Sequence, residues 1–203
     1  PVSTIADGDC SESRAMTRQG PGPAGGHDDY HAIDDTGLFQ LFAHDVQSAV
    51  DLGVIAHRIA ELALTPGLVA RDTGLTLQSL RVPDSACCQA YLGDPSDLVE
   101  SPTPAQRLVY GERRRRVPEL FDLDYPAMLG ASQNPAGYAQ GVAAQRPFYF
   151  DHVIELSDRA FAEFADLTGR TYVRAGGLWL DDADYLLVAQ GSVVPLAEAV
   201  CER

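Results

Sequence analysis

The run His27-Asp-Asp-Tyr-His31, followed by Asp34-Asp35, is the part of this chain best suited to gripping a metal ion. Two histidines at i and i+4 share one helix face, the spacing by which His-Glu-x-x-His hydrolases hold zinc. Asp28 stands after His27 where those enzymes carry a glutamate, and the Pro/Gly-rich stretch Pro21-Gly-Pro-Ala-Gly-Gly26 precedes the pair. Two readings therefore stand side by side: a metal-dependent hydrolase using His27 and His31, and a polar turn or short helix entering a strand at Gly37. Further along, Gly191-Ser192 follows the apolar run Tyr185 to Ala189, a place where open α/β sheets present helix N-terminal amides to an anion. Its plainer reading is a tight strand-to-helix turn with Ser192 as N-cap. No Gly-x-Ser-x-Gly elbow is present. All 15 basic residues are arginine, so a Schiff base or a phosphate-loop lysine cannot come from these residues. The four cysteines, Cys10, Cys87, Cys88 and Cys201, include no Cys-x-x-Cys pair, so neither a cluster nor structural zinc is expected here. Adjacent Cys87 and Cys88 read as small buried hydrophobes.

The elements that must position these residues follow from apolar periodicity. Residues 1–26 are rich in Gly, Pro, Ser and charge and read as an irregular leader. Gly37 to Ala43 reads as a short buried strand, Asp45 as a helix N-cap, and Val46 to Leu64 as a core helix with Val46, Val50, Val54, Ile55, Ile59 and Leu62 near helical spacing. Thr65-Pro-Gly67 ends it, and Leu68 to Ala70 is the next strand, giving a parallel β-α-β unit. From Arg81 to Pro104 turn signals dominate and allow at most a brief helix. Ala105 to Val117 predicts a helix carrying Arg113 to Arg116 on a solvated or salt-bridged face. Phe148 to Leu167 predicts a long amphipathic helix with Gly169 just past its end. Tyr185 to Ala189 predicts a strand, and Val193 to Cys201 a helix.

A net charge of −14 and a pI near 4.5 oppose binding to nucleic-acid phosphates or an anionic membrane surface. With 45% hydrophobic residues in a chain of 203, a real core is expected. There is no run of about 18 apolar residues and no signal-peptide layout, so a soluble, cytoplasmic protein is expected. The chain begins at Pro1 and is expected to be a piece of something longer.

One ordered series carries more information than any single motif. Ala131-Ser-Gln-Asn-Pro-Ala-Gly-Tyr-Ala-Gln-Gly141 is followed by Leu167-Thr-Gly-Arg170 and then by Asp184-Tyr-Leu-Leu-Val-Ala-Gln-Gly-Ser192. In order and spacing it resembles the pyruvate:ferredoxin (flavodoxin), or 2-oxoacid:acceptor, oxidoreductases, where the pyrimidine-side thiamine domain hands over to the next α/β domain. His27 to Gly37, then Asp45-Val-Gln-Ser-Ala-Val-Asp-Leu52 and Ala56-His57, resemble upstream segments of the same family. The resemblance implies a three-layer, mostly parallel α/β fold, with residues 27–175 as a partial pyrimidine-side domain and 176–203 as the start of a following α/β domain. It also places Arg14-Ala15 where the family has an Arg-Ala pair whose arginine binds the 2-oxoacid carboxylate. A guanidinium suits that task through bidentate, charge-assisted hydrogen bonds.

The implied activity is oxidative decarboxylation of a 2-oxoacid with thiamine diphosphate. Electrons leave through [4Fe-4S] clusters to ferredoxin or flavodoxin, and the acyl group goes to coenzyme A. Two departures qualify this. After Pro66 the family has a Gly-Phe-Arg-Thr-Ser-His-Glu run; here Asp72 and Thr76 remain, while Leu75, Gln78 and Ser79 replace the Arg, His and Glu. Asp7-Gly-Asp9 lacks the second glycine of the Gly-Asp-Gly turn that holds Mg²⁺ on the diphosphate, and Asn134, the only asparagine, lies too far on. No catalytic residue is therefore assigned, and thiamine diphosphate, Mg²⁺ and [4Fe-4S] clusters are expected in partner domains or subunits, with a homo-oligomeric assembly and no activity in isolation. A catalytically silent assembly or regulatory module is the alternative.

Overall fold

The computed structural model describes residues 2–5, 27–71, 79–119, 123, 134–181 and 183–203. The chain forms two compact units: residues 1–57, 66–84 and 173–203 make the first, residues 58–65 and 85–172 the second.

The first unit is α/β, with a parallel sheet. Its elements begin with β1 (Val2–Ile5), the short helix α1 (Asp28–His31), a 3-10 turn at Asp34–Thr36, β2 (Phe39–Ala43), α2 (Val46–Ala63, which runs on into the second unit) and β3 (Gly67–Arg71). β3 is central, with β1 and β2 parallel on its two sides; Val2 pairs with Gly67 in one direction and Phe39 with Gly67 in the other. Within the expected irregular leader, residues 2–5 form strand β1, while residues 6–26 lie outside the described residues. Val2, Thr4 and Ile5 are β-branched, and their preference for a pleated surface outweighs the loop-forming composition that follows them. The β2-α2-β3 unit forms where the periodicity places it. Gly67, Leu68, Val69 and Ala70 are all buried without alternation, as a central parallel strand requires. On α2, Leu52, Ile55, Ala56, Ile59 and Leu62 are buried at helical spacing. Leu64 ends that helix with a left-handed backbone at φ 50°.

The second unit holds α3 (Ser85–Leu92), β4 (Leu98–Glu100), α4 (Pro104–Tyr110), β5 (Arg113–Arg115), α5 (Pro135–Gln145), a π-turn at Arg146–Phe150 and α6 (Asp151–Thr168). Cys87 and Cys88 are half-buried on α3. Thr103 caps α4 by accepting from Gln106 N at 3.2 Å, and Pro104 occupies its first turn. The expected helix from Ala105 to Val117 therefore stops early: Gly111 at φ 80° ends it, and the arginine run pairs as β5 against β4. Strand alternation turns Arg113 and Arg115 outward and buries Arg114, so the run is not one solvated face. α5 starts at an Asn-Pro cap, with Asn134 Oδ1 accepting from Gly137 N at 2.7 Å. Gly169 at φ 72° closes α6, as expected, and Pro147, which has no backbone N–H to donate, sits in the π-turn. Tyr91 joins α3 to α6 through its hydroxyl, which donates to Ala160 O at 2.8 Å, with its ring edge-on to Phe164.

Residues 184–190, back in the first unit, are not a strand. Tyr185, Leu186, Leu187 and Val188 are between 71% and 94% exposed, so apolar composition here marks neither pairing nor burial. A 3-10 turn at Gly191–Val193 follows, then α7 (Val194–Cys201). Val193, not Ser192, is the N-cap of α7, because the intervening 3-10 turn moves the helix start along the chain.

Candidate functional site

Parallel strands place all their carboxyl ends on one edge, and in open α/β sheets that edge is where ligands bind. In the first unit it is marked by Ile5, Ala43 and Arg71. Arg14, the expected carboxylate-binding residue, lies outside the described residues, as do Asp7-Gly-Asp9 and the altered run from Asp72 to Gln78. Ser79, which ends that run, is exposed.

β2 delivers His44 and Asp45 to this edge, followed by the first turn of α2. Asp45 is the expected cap: its Oδ1 accepts from Ser48 N at 2.6 Å. Ser48 Oγ in return accepts from Asp45 N at 3.0 Å and His44 N at 3.1 Å, and donates to Asp45 O at 2.9 Å. A carboxylate of the chain itself therefore already sits at the positive end of α2. Next to it, Gln47 joins the turn to the segment after β3: Oε1 accepts from Arg81 N at 2.7 Å and Nε2 donates to Arg81 O at 2.9 Å. The sequence shows Gln47 within the family-like run Asp45 to Leu52 but gives it no role of its own, since a glutamine in a first helical turn announces no partner.

The His27 and His31 pair does share a helical turn, with His31 N donating to His27 O at 3.0 Å. The side chains take different neighbours. The His27 ring lies 4.6 Å from that of Phe42, whose other neighbour is Tyr30 at 4.9 Å, while His31 Nδ1 lies 3.2 Å from Asp34 Oδ2. Gln40 Nε2 holds the other oxygen of Asp34 at 2.9 Å. Burial, followed by the charge of Asp34, raises the Tyr30 phenol above its ordinary range against a hydrogen bond with Gln190. No group of three or more metal-ligating side chains comes together among the described residues. Asn134 Oδ1 is committed to its helix cap. Among the described residues, no donor set that would hold a magnesium diphosphate comes together.

The chain's likeness to known proteins follows the same segments. The family model described as "Pyruvate flavodoxin/ferredoxin oxidoreductase, thiamine diP-bdg" matches residues 12–155. The chain belongs to this family. Members similar to it include the pyruvate synthase subunit PorA of Pyrococcus furiosus, 29% identical over 78% of this chain and 36% of that subunit. The pyruvate-flavodoxin oxidoreductase of Klebsiella pneumoniae is 25% identical over 94% of this chain and 15% of its own length. The ketoisovalerate oxidoreductase subunit VorA of Pyrococcus abyssi is 21% identical over 83% of this chain and 38% of that subunit. The oxidoreductase relatives are thus much longer than the part this chain spans. No helix among its described residues is long and apolar enough to cross a membrane.

Proposed function

We propose that this chain contributes a pyrimidine-side α/β domain to a 2-oxoacid:ferredoxin or flavodoxin oxidoreductase of the cytoplasm. The observation that carries the reading is the match of a thiamine-diphosphate-binding family model across residues 12–155. On this reading residues 27–175 descend from the pyrimidine-side domain and 176–203 open the next one, whose burial of Tyr185 to Val188 would complete an α/β layer. Thiamine diphosphate, Mg²⁺ and [4Fe-4S] clusters are held by partner domains or subunits, and coenzyme A and a 2-oxoacid are the substrates. The assembly is a homo-oligomer, Arg14 receives the 2-oxoacid carboxylate, and the isolated chain is inactive.

Ligand-linked stability tests this. A ligand that binds only the folded state stabilises it by about 2.7 kcal/mol at a hundredfold excess over Kd. The isolated chain should show no change in Tm with thiamine diphosphate and Mg²⁺, and a clear rise once the complementary domains of a relative are added. No rise in either case overturns the reading.

A further inference from the structure

We propose that Gln47 is a peptide-mimicking clamp that ties the connection after β3 to the first turn of α2, and that Asp51 sets its polarity. A carboxamide presents one acceptor and two donors, and here all three are used. Oε1 accepts from Arg81 N at 2.7 Å; one Nε2 hydrogen goes to Arg81 O at 2.9 Å and the other to Asp51 Oδ1 at 3.1 Å. Both backbone groups of a single residue are thus paired by one side chain, as a neighbouring strand would pair them. A rotated amide would set its oxygen against the Arg81 carbonyl and the Asp51 carboxylate, and its NH₂ against the Arg81 N–H. Asp51 is fully buried, and its Oδ1 stands 3.1 Å from the amide nitrogen as an acceptor, so it sets which end of the amide faces Arg81.

The surroundings of Arg81 explain what the clamp does. Arg81 and Val82 are exposed, and residues 79–84 belong to no helix or strand, so regular secondary structure does not hold this stretch. Gln47 supplies the two bonds a strand partner would have supplied, just past Ser79 and beside the carboxyl edge of the sheet. Release of these two bonds should therefore let Arg81 and Val82 open locally, without unfolding of β2-α2-β3. This inference concerns the fold and does not depend on the proposed activity.

Amide hydrogen exchange and trypsin cleavage of the native full chain at the Arg81–Val82 bond read the clamp directly. In the wild-type protein the Arg81 amide should exchange at least about tenfold more slowly than an unstructured peptide. Gln47→Leu keeps the bulk and removes the bonds; it should abolish that protection and speed cleavage after Arg81. Gln47→Glu keeps an acceptor for Arg81 N but loses both donors, to Arg81 O and to Asp51 Oδ1, so it should also fail to protect. Asp51→Asn leaves Gln47 in place but lets its amide rotate, and should give partial loss. Unprotected exchange at Arg81 in the wild type overturns the proposal without any variant having to fold. Equal protection in the wild type and a folded Gln47→Leu overturns it as well.

Discussion

Arg114 Nη2 donates to the carbonyl of Glu61 at 2.6 Å, closing the C-terminal turn of α2 with a guanidinium from β5. The same nitrogen reaches Leu62 O at 3.3 Å, Nη1 donates to Arg115 O and Arg116 O, and Nε donates to Gln106 Oε1 at 2.7 Å. Gln106 Nε2 in turn donates to Leu62 O at 2.8 Å. A helix end leaves carbonyls without partners, and a buried one must find donors elsewhere. Burial lowers the Arg114 pKa to about 10, which still leaves the cation charged at neutral pH, complementing the negative end of the helix.

Arg114→Met should therefore destabilise the chain by about 3 kcal/mol or more, because several buried acceptors lose their donor at once. Arg114→Lys should recover only part of this, since an ammonium lacks the planar fork. Urea titration with a constant m-value checks the ranking; a Lys variant equal to wild type would contradict it.

The carboxylates of Glu163 and Glu61 should respond to acid with opposite sign. Burial alone would raise Glu163, but hydrogen bonds from Arg159 and Arg58 and their charges bring it below the usual glutamate range. Its contribution is present above the unfolded pKa of about 4.3 and disappears as pH falls through the lower folded value. Glu61 is raised by burial, against Arg58 and Arg114, so protonating it favours the folded state as pH falls through its elevated folded value. Stability measured from pH 7 to pH 3 should fall less steeply in Glu163→Gln and more steeply in Glu61→Gln than in the wild type.

Gly67→Ala should destabilise the first unit by about 1–3 kcal/mol. A Cβ there would enter the ring of Phe39, its own ladder partner on β2. Combining it with Phe39→Leu should recover part of the loss, and strict additivity of the two changes would argue against the clash.

Asn134→Ala should cost about 1 kcal/mol by removing the cap of α5, whereas Asn134→Asp should be close to neutral or slightly stabilising at a helix N-terminus. Circular dichroism during thermal unfolding checks both.

Local rules carried the reading furthest where period and punctuation agree. Asp45, the apolar spacing of α2, Gly169 and the Asn134-Pro135 pair all act within one or two turns of chain, so each could be read in place. The misreadings share a different cause. Arg113 to Arg116 scores as a helix surface by composition, yet the fold needs Arg114 at a helix end fifty residues upstream in sequence, and only tertiary structure supplies that demand. Tyr185 to Val188 has the residue types of a buried strand, but exposure is decided by what pairs with it. Of the candidate site, the sheet edge and its cap were legible and Gln47 was not, because a side chain that imitates backbone leaves no signature in its own neighbours. The histidine spacing was read correctly as one helical turn, while His27 packs on Phe42 and His31 turns to Asp34.

The order of strands across the sheet also sets an order of events in time. β2 and β3 are joined by a single helix and can meet early, but Val2 must find Gly67 across the whole intervening chain. Loop closure over so long a span is slow relative to the local β-α-β step, so β1 should be the last strand to join and the first to leave. Until it arrives, β3 presents an unpaired edge of Leu68, Val69 and Ala70, the kind of apolar template that another extended segment can occupy. The edge of β3 is therefore where misassembly of this sheet is expected to start, in the interval before Val2–Ile5 docks.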